Sequence, residues 1–370
     1  MEEQQAISQP ASRIKDYNSV CWRLGFFMTI ILLLREAATV LLSVVLILLN
    51  NMAESATGVA DSLQLYFGAE GLYALQLGFS AVFLQIIPSV IAVFLLKYGK
   101  EQIKAGYKIP KNNAKALTNF PACYGLGMTV NLITLVVTSL ITKTADYNEA
   151  FNPITSVAPP SFASAVILFV FVAVIAPVFE EFIFRGAVLN ALKPYGKGVA
   201  IFTSAFMFGI MHGNFSQVFY ATAIGIVLGY IATVTGSIFT TTVMHALFNS
   251  ISGVMMLFIS TSSVQKYYGV SEGVPDGDAF VITMYAIFQL AVVLTALIGF
   301  GLMIKKLIKI KRYFLPQVWS ELTTWGKVRR LLFTPGMIIG IVLTADVFAG
   351  CWAITYFDVI NGILTLLGIQ

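Results

Sequence analysis

Pro177-Val178-Phe179-Glu180-Glu181-Phe182-Ile183-Phe184-Arg185 puts two adjacent carboxylates and a guanidinium into a run that is otherwise apolar from about Ser161. A charge at the centre of a bilayer costs roughly 2.5–3.5 kcal/mol on insertion scales, so such groups need compensation or a purpose. Glu181 and Arg185 stand four residues apart on one helix face and can form a structural ion pair. Glu180 lies about 100° round the same helix and gains no local partner. The spare carboxylate is the feature that calls for a function.

Composition sets the environment. The 370 residues are 58% hydrophobic and 11% charged, where soluble proteins carry about 25% charged residues. Mean hydropathy is +0.83. Repeated apolar runs of around 20 residues predict an all-α, polytopic transmembrane helical bundle. Cys21, Cys123 and Cys351 are isolated and odd in number, which supports neither a disulfide framework nor a zinc cluster. The net charge of +5 resides mostly in loops, where it sets topology, and nothing suggests nucleic-acid binding.

Outward from the glutamates, the chain divides as follows. Residues 1–21 read as a polar leader, and 22–160 as N-terminal transmembrane helices with spans near 22–50, 71–97 (kinked at Pro88) and 121–142. Residues 161–260 form the core that carries the motifs, with spans near 161–192, 198–212, 216–235 and 237–259. Residues 261–304 add a loop and a span from about 279. Residues 305–335 are basic with interleaved aromatics and read as a helix on the membrane surface, and 336–370 is a C-terminal hydrophobic region. This amounts to about eight or nine spans. Placing the lysine-rich segments 97–115 and 305–330 in the cytoplasm requires an even number of crossings between them, and the spans satisfy it, with a cytoplasmic N-terminus. Arg35 and Glu36 interrupt the first span. As neighbours on different faces they are expected not to pair cleanly, and to meet another helix or a water-filled cavity instead. Asp346 is a further intramembrane charge, with no motif around it.

The chain has only two histidines, and both fall inside apolar spans. From helix rise, Glu180 lies roughly 18 Å from the end of its span, His212 roughly 21 Å and His245 roughly 12 Å from the start of theirs, so the three can share one layer. Phe208 and His212 are four apart, as are His245 and Asn249, so each pair projects from one helix face. A carboxylate and an imidazole can hold and deprotonate a water. A second imidazole and an amide can donate to a developing oxyanion. The same Glu180, His212 and His245 are also ordinary zinc ligands, although no His-Glu-x-x-His run is present. There is no Gly-x-Ser-x-Gly nucleophile elbow and no Walker-type phosphate loop.

The series Glu180-Glu181…Arg185, Phe208…His212 and His245…Asn249, each on its own hydrophobic helix, resembles the CPBP (Abi) intramembrane protease family, which includes the type II CAAX prenyl endopeptidases. The resemblance covers about 70 residues and is silent on 1–160 and 260–370. It implies that Glu180 and His212 activate the attacking water, that His245 and Asn249 stabilise the oxyanion, and that Glu181 with Arg185 braces the helix. It implies no required cofactor in the water mechanism, with zinc at Glu180, His212 and His245 as the alternative. The expected partner is a membrane-associated peptide or protein, either a CAAX-like tail or a bacteriocin or pheromone precursor. The expected location is a bacterial cell membrane. The other reading is a non-proteolytic scaffold or bacteriocin-immunity protein that uses the same polar cavity.

Overall fold

The computed structural model describes residues 10–57, 62–110, 113–142, 161–212, 215–261, 263–264, 279–314 and 322–348. The regular structure among these residues is all helical, with no strand. We number the helices α1 (Pro10–Thr57), α2 (Glu70–Leu95), α3 (Lys100–Gly106), α4 (Asn113–Leu117), α5 (Phe120–Thr142), α6 (Phe162–Tyr195), α7 (Lys197–Met211), α8 (Phe215–Thr235), α9 (Ile238–Ile259), α10 (Ala279–Phe314), α11 (Thr324–Leu332) and α12 (Pro335–Phe348).

Six of these, in α1, α2, α6, α8, α9 and α10, are long and apolar enough to cross a membrane. The span expected at 121–142 is the helix α5, and the one at 198–212 is the short α7. The last hydrophobic region is helical over Pro335–Phe348, and the rest of it lies outside the described residues, as does the side chain of Asp346. Large apolar side chains face outward along the lipid-length helices. Leu290, Leu297 and Ile298 on α10 and Phe26 and Leu33 on α1 are each more than half exposed. That is the surface of a protein whose solvent is hydrocarbon.

Two expectations change, one at the polar leader and one at the basic segment 305–335. The polar leader is helical from Pro10, and Tyr17, Val20 and Cys21 are buried in it. The Tyr17 hydroxyl donates to the Lys327 carbonyl at 2.8 Å, which ties the start of α1 to α11. The basic segment 305–335 is likewise divided. Its first part prolongs α10 to Phe314, and α11 is a separate short helix packed on α1 and α7. One amphipathic stretch became two elements because the apolar side of α11 finds a protein face: Leu331 is almost fully covered and joins the main core.

Helix pairs in the bundle approach closely where side chains are absent. α5 and α10 cross at Gly125 and Gly299; a Cβ on Gly299 would overlap the Pro121 carbonyl, and one on Gly125 would overlap the Gly299 backbone. Lipid offers apolar groups no gain from hiding from water, so such contact surfaces carry the association of membrane helices. Two heavy residues at this crossing should therefore separate the pair. Gly299→Leu is expected to cost about 3 kcal/mol or more through overpacking, read as a lowered melting temperature and loss of monodispersity in detergent, whereas Gly301→Leu, which faces open space, should leave both unchanged.

Candidate active site

The site lies where α6, α7, α8 and α9 meet, closed on the remaining side by α1 and α2. Both α2 and α6 depart from α-helical geometry there. Prolines at 88 and 177 supply no N–H to the turn that precedes them, and in each case that turn is widened into a π turn, at Ala81–Ile86 and Phe171–Ile175. A third π turn, Phe182–Val188, follows the two glutamates. Such turns are frequent at functional sites because the extra residue re-aims the side chains around it. The kink expected at Pro88 is thus present as a π turn just ahead of it.

The broken backbone ladder explains one motif residue. Ala176 N–H bonds the Phe171 carbonyl in the five-residue register of the π turn, and the next donor in that register, to Val172, would be residue 177, a proline. The Asn249 side-chain amide supplies the missing donor, from Nδ2 to the Val172 carbonyl at 2.9 Å. Farther along α6, the Ser204 hydroxyl donates to the Phe184 carbonyl at 2.7 Å and the Asn190 amide to the Gly186 carbonyl at 2.7 Å, so neighbours also satisfy the third π turn.

Glu181 and Arg185 form the ion pair expected from their spacing, Nη1 to Oε1 2.8 Å, with both side chains fully buried. Arg185 also donates to the Gly225 carbonyl of α8 at 3.3 Å, and its guanidinium lies 4.6 Å from the centre of the Phe208 ring. His245 bridges the two carboxylates: Nδ1 is 3.1 Å from Glu181 Oε1, and Nε2 is 3.6 Å from Glu180 Oε2. With Nδ1–H donating to Glu181, the Nε2 edge faces Glu180. Phe208 stands edge-on to both imidazoles, at 4.9 Å from His212 and 5.4 Å from His245. The ring is therefore the wall between them.

His212 occupies the C-terminal end of α7. That helix has 15 residues, a rise of about 22 Å against a hydrocarbon core of about 30 Å, so its end carries the imidazole to a position within the membrane's depth. Nδ1 lies 2.8 Å from the Phe208 carbonyl. A carbonyl only accepts, so Nδ1 bears the hydrogen and Nε2 of the neutral ring keeps its lone pair. A cavity of about 180 Å³ is lined by Glu180 and His212 together with Ile31, Arg35, Leu84, Gln85, Pro88 and Met211. His245 and Asn249 are not among its lining residues. A second cavity, about 190 Å³, lies by Arg185 and the α8–α9 turn and contains neither Glu180 nor a histidine.

Two polar groups of the cavity come from outside the motif region. Gln85 Nε2 donates to Glu180 Oε1 at 3.3 Å, so Glu180 has partners on both oxygens. Sequence reasoning passed over Gln85, a single amide in an apolar span beside Pro88. Its depth matched that of the glutamates, and that was the available signal. Arg35 and Glu36 do pair, against expectation. Arg35 Nε donates to Glu36 Oε1 at 2.8 Å, and Nη1 reaches the Met211 carbonyl at 3.4 Å. Long side chains can bend back toward each other across the hundred-degree offset, and the half-buried setting at the cavity edge favours their doing so. Arg35 thus both pairs and lines the cavity.

No three His, Cys, Asp or Glu side chains among the described residues are grouped as metal ligands.

Residues 162–251, about a quarter of the chain, match the family model described as type II CAAX prenyl endopeptidase Rce1-like. The match spans all three motifs and corresponds to the helices α6 to α9 that form the floor and walls of the site. No curated protein and no solved structure matches the chain. The chain thus combines a segment similar to this endopeptidase family with six membrane-length apolar helices.

The buried pair sets a prediction for stability. Glu181→Gln leaves Arg185 charged and without its carboxylate, which should cost about 3–5 kcal/mol. Adding Arg185→Met should recover a large part of that loss, since removing both charges is far less costly than removing one. Thermal melting of the two single variants and the double variant in one detergent reads the comparison.

Proposed function

We propose that this protein is an intramembrane endopeptidase that hydrolyses a peptide bond in a membrane-associated protein or peptide, with the attacking water held between Glu180 and His212. The observation that carries this reading is the single cavity lined by both residues, in which His212 presents Nε2 and Glu180 is held by Gln85 and His245. The water donates to the Glu180 carboxylate and to His212 Nε2. As its oxygen bonds to the scissile carbonyl carbon, one proton passes to Glu180. The tetrahedral intermediate then expels the amine, which takes that proton as the C–N bond breaks. The count closes with one carboxylic acid and one amine formed, and no metal is required.

In this reading His245 is a positioning residue for Glu180, with the Glu181–Arg185 pair as its anchor. The Asn249 amide, engaged at Val172, holds the π turn that sets the phase of α6. The family similarity favours a CAAX-like tail, and a bacteriocin or pheromone precursor is the bacterial counterpart. We place the protein in a bacterial cell membrane, with eight or nine spans formed when α5, α7 and α12 complete the bundle. The N-terminus lies inside, because the start of α1, the end of α6 and α11 meet at one end of the bundle. That end carries Arg13, Lys15, Arg23, Lys193, Lys197, Lys327 and Arg330, the charge asymmetry of a cytoplasmic face.

The test is cleavage of a fluorogenic panel of prenylated CAAX peptides and leader peptides by purified protein. Glu180→Gln and His212→Phe should each lower kcat by about 10²–10⁴, with melting temperatures near that of wild type and with a chelator leaving wild-type activity intact. Equal rates for wild type and Glu180→Gln would sink the assignment. For orientation, a protease-sensitive tag at residue 1 should be cut only after inside-out vesicles are exposed to protease.

A further inference from the structure

We infer that the second cavity, at the end of the bundle where α6 stops and α8 turns into α9, is a binding site for a phosphate group, placed to take the headgroup of an anionic membrane lipid. The inference is independent of the endopeptidase reading. Position is the first observation. The apolar span of α6 ends at Tyr195, that of α8 ends at Thr235 and that of α9 begins at Ile238. A cavity lined by Lys193, Ser237 and Ile238 therefore sits where the spans leave the hydrocarbon and the headgroups begin. Its volume of about 190 Å³ is several times the roughly 30 Å³ that one water takes in the liquid. Charge is the second. Arg185 and Lys193 line the cavity, and no aspartate or glutamate does. Glu181 matches the charge of Arg185, whereas half-buried Lys193 belongs to none of the ion pairs among the described residues. Basic pockets between membrane helices at this depth are where anionic headgroups are held.

The third observation is a buried donor without an acceptor. Arg185 is 1% exposed. Its Nη1 pairs with Glu181 and its Nη2 donates to the Gly225 carbonyl, but Nε is buried with no hydrogen-bond partner among the described residues. Such a donor costs free energy that a ligand oxygen recovers. Lys193 stands eight residues, about 12 Å of helix, beyond Arg185 on the same face. Helical side chains lean back toward the N-terminus, so the two cations approach the cavity from its outer and inner ends. The opposite wall adds donors. The first turn of α9 has N–H groups with no intrahelical acceptor. Ser237 Oγ takes the one from Thr240 at 3.3 Å, which leaves the rest of the turn, and the positive end of its dipole, to an anion. On α3, Gln102 Oε1 accepts from the Gly99 N–H at 2.8 Å, so its Nε2 is the edge that can donate. A phosphodiester offers several oxygens, a negative charge and no hydrogen of its own, which suits donors drawn from four helices.

The experiment measures lipid binding to the full-length protein in detergent by native mass spectrometry. The probes are dioleoylphosphatidylglycerol, dioleoylglycerol (the same chains without a phosphate) and inorganic phosphate as a competitor. The proteins are wild type, Lys193→Gln, Lys193→Arg, Ala105→Leu and Lys100→Gln. Ala105 is an exposed residue of the cavity lining, where a leucine narrows the mouth, and Lys100 is exposed on the same helix but outside the lining. Phosphatidylglycerol should bind wild type about ten-fold or more tighter than dioleoylglycerol, the worth of one hydrogen bond to a charged group. Lys193→Gln and Ala105→Leu should each lose most of that difference, and Lys193→Arg should keep it. Lys100→Gln should weaken binding by no more than about five-fold, as any lysine near the surface does. If inorganic phosphate displaces the lipid, free phosphate is a second source for the same site; if it does not, the lipid phosphodiester is the ligand, and either result upholds the inference. Equal binding of the two lipids, or equal losses for Lys193→Gln and Lys100→Gln, would mean acyl-chain contact or a diffuse surface field, and would overturn it. Should Ala105→Leu fail to fold, the comparison of Lys193→Gln with Lys193→Arg and Lys100→Gln decides alone.

Discussion

A fully buried guanidinium is the constraint on which the bundle's centre depends. Arg185 is the largest of the nearly fully covered side chains, and a charge so placed is tolerable only with its partners in position. Those partners come from separate elements: Glu181 on its own helix, the Gly225 carbonyl on α8 and the Phe208 ring on α7. Glu181 in turn holds His245 of α9. Four helices are therefore locked in phase around one ion pair. The closeness required is visible at Gly209, where a Cβ would overlap the Thr222 hydroxyl. The pair adds little net stability over an apolar core of the same shape. What it does is make the correct phase of α6 against its neighbours much better than any other, and that phase sets the direction of Glu180.

The second constraint is backbone irregularity kept inside protein. Three π turns border the site, and each frees or shifts backbone groups that lipid cannot satisfy. The Asn249 amide, the Ser204 hydroxyl and the Asn190 amide answer them at α6. The wide turns are thus linked to polar side chains on adjacent helices, and the arrangement works only where those helices cover the turns. In this way polar groups inside an apolar bundle are accommodated by the backbone around them.

Much was legible in the residues. Apolar runs of membrane length predicted an all-helical bundle, and six such helices stand among the described residues. Glu181 and Arg185 pair as their spacing requires, because four residues along one helix is a local relation that tertiary structure seldom alters. The shared layer of Glu180 and His212 followed from helix rise alone. Arg35 meets another helix and the cavity as expected, but its pairing with Glu36 was not foreseen, because flexible side chains can close an angle that backbone periodicity leaves open. The helical, buried start of α1 was missed because its polar composition says nothing of α11, which covers it some three hundred residues later.

By itself the sequence determined what is local or compositional: helices, the membrane as their solvent, the buried ion pair and the three motifs that match a peptidase family. Hydropathy and helical period are properties of neighbouring residues, so they need no knowledge of the fold. Only the tertiary structure decided which groups share the cavity. It brought Gln85 and Arg35, from spans with no motif, to Glu180 and His212, and it turned His245 toward the glutamates and Asn249 toward Val172. Those contacts depend on the rotation of each helix against the next. That rotation is set by close glycine crossings, by π turns and by one buried charge, acting together across the bundle.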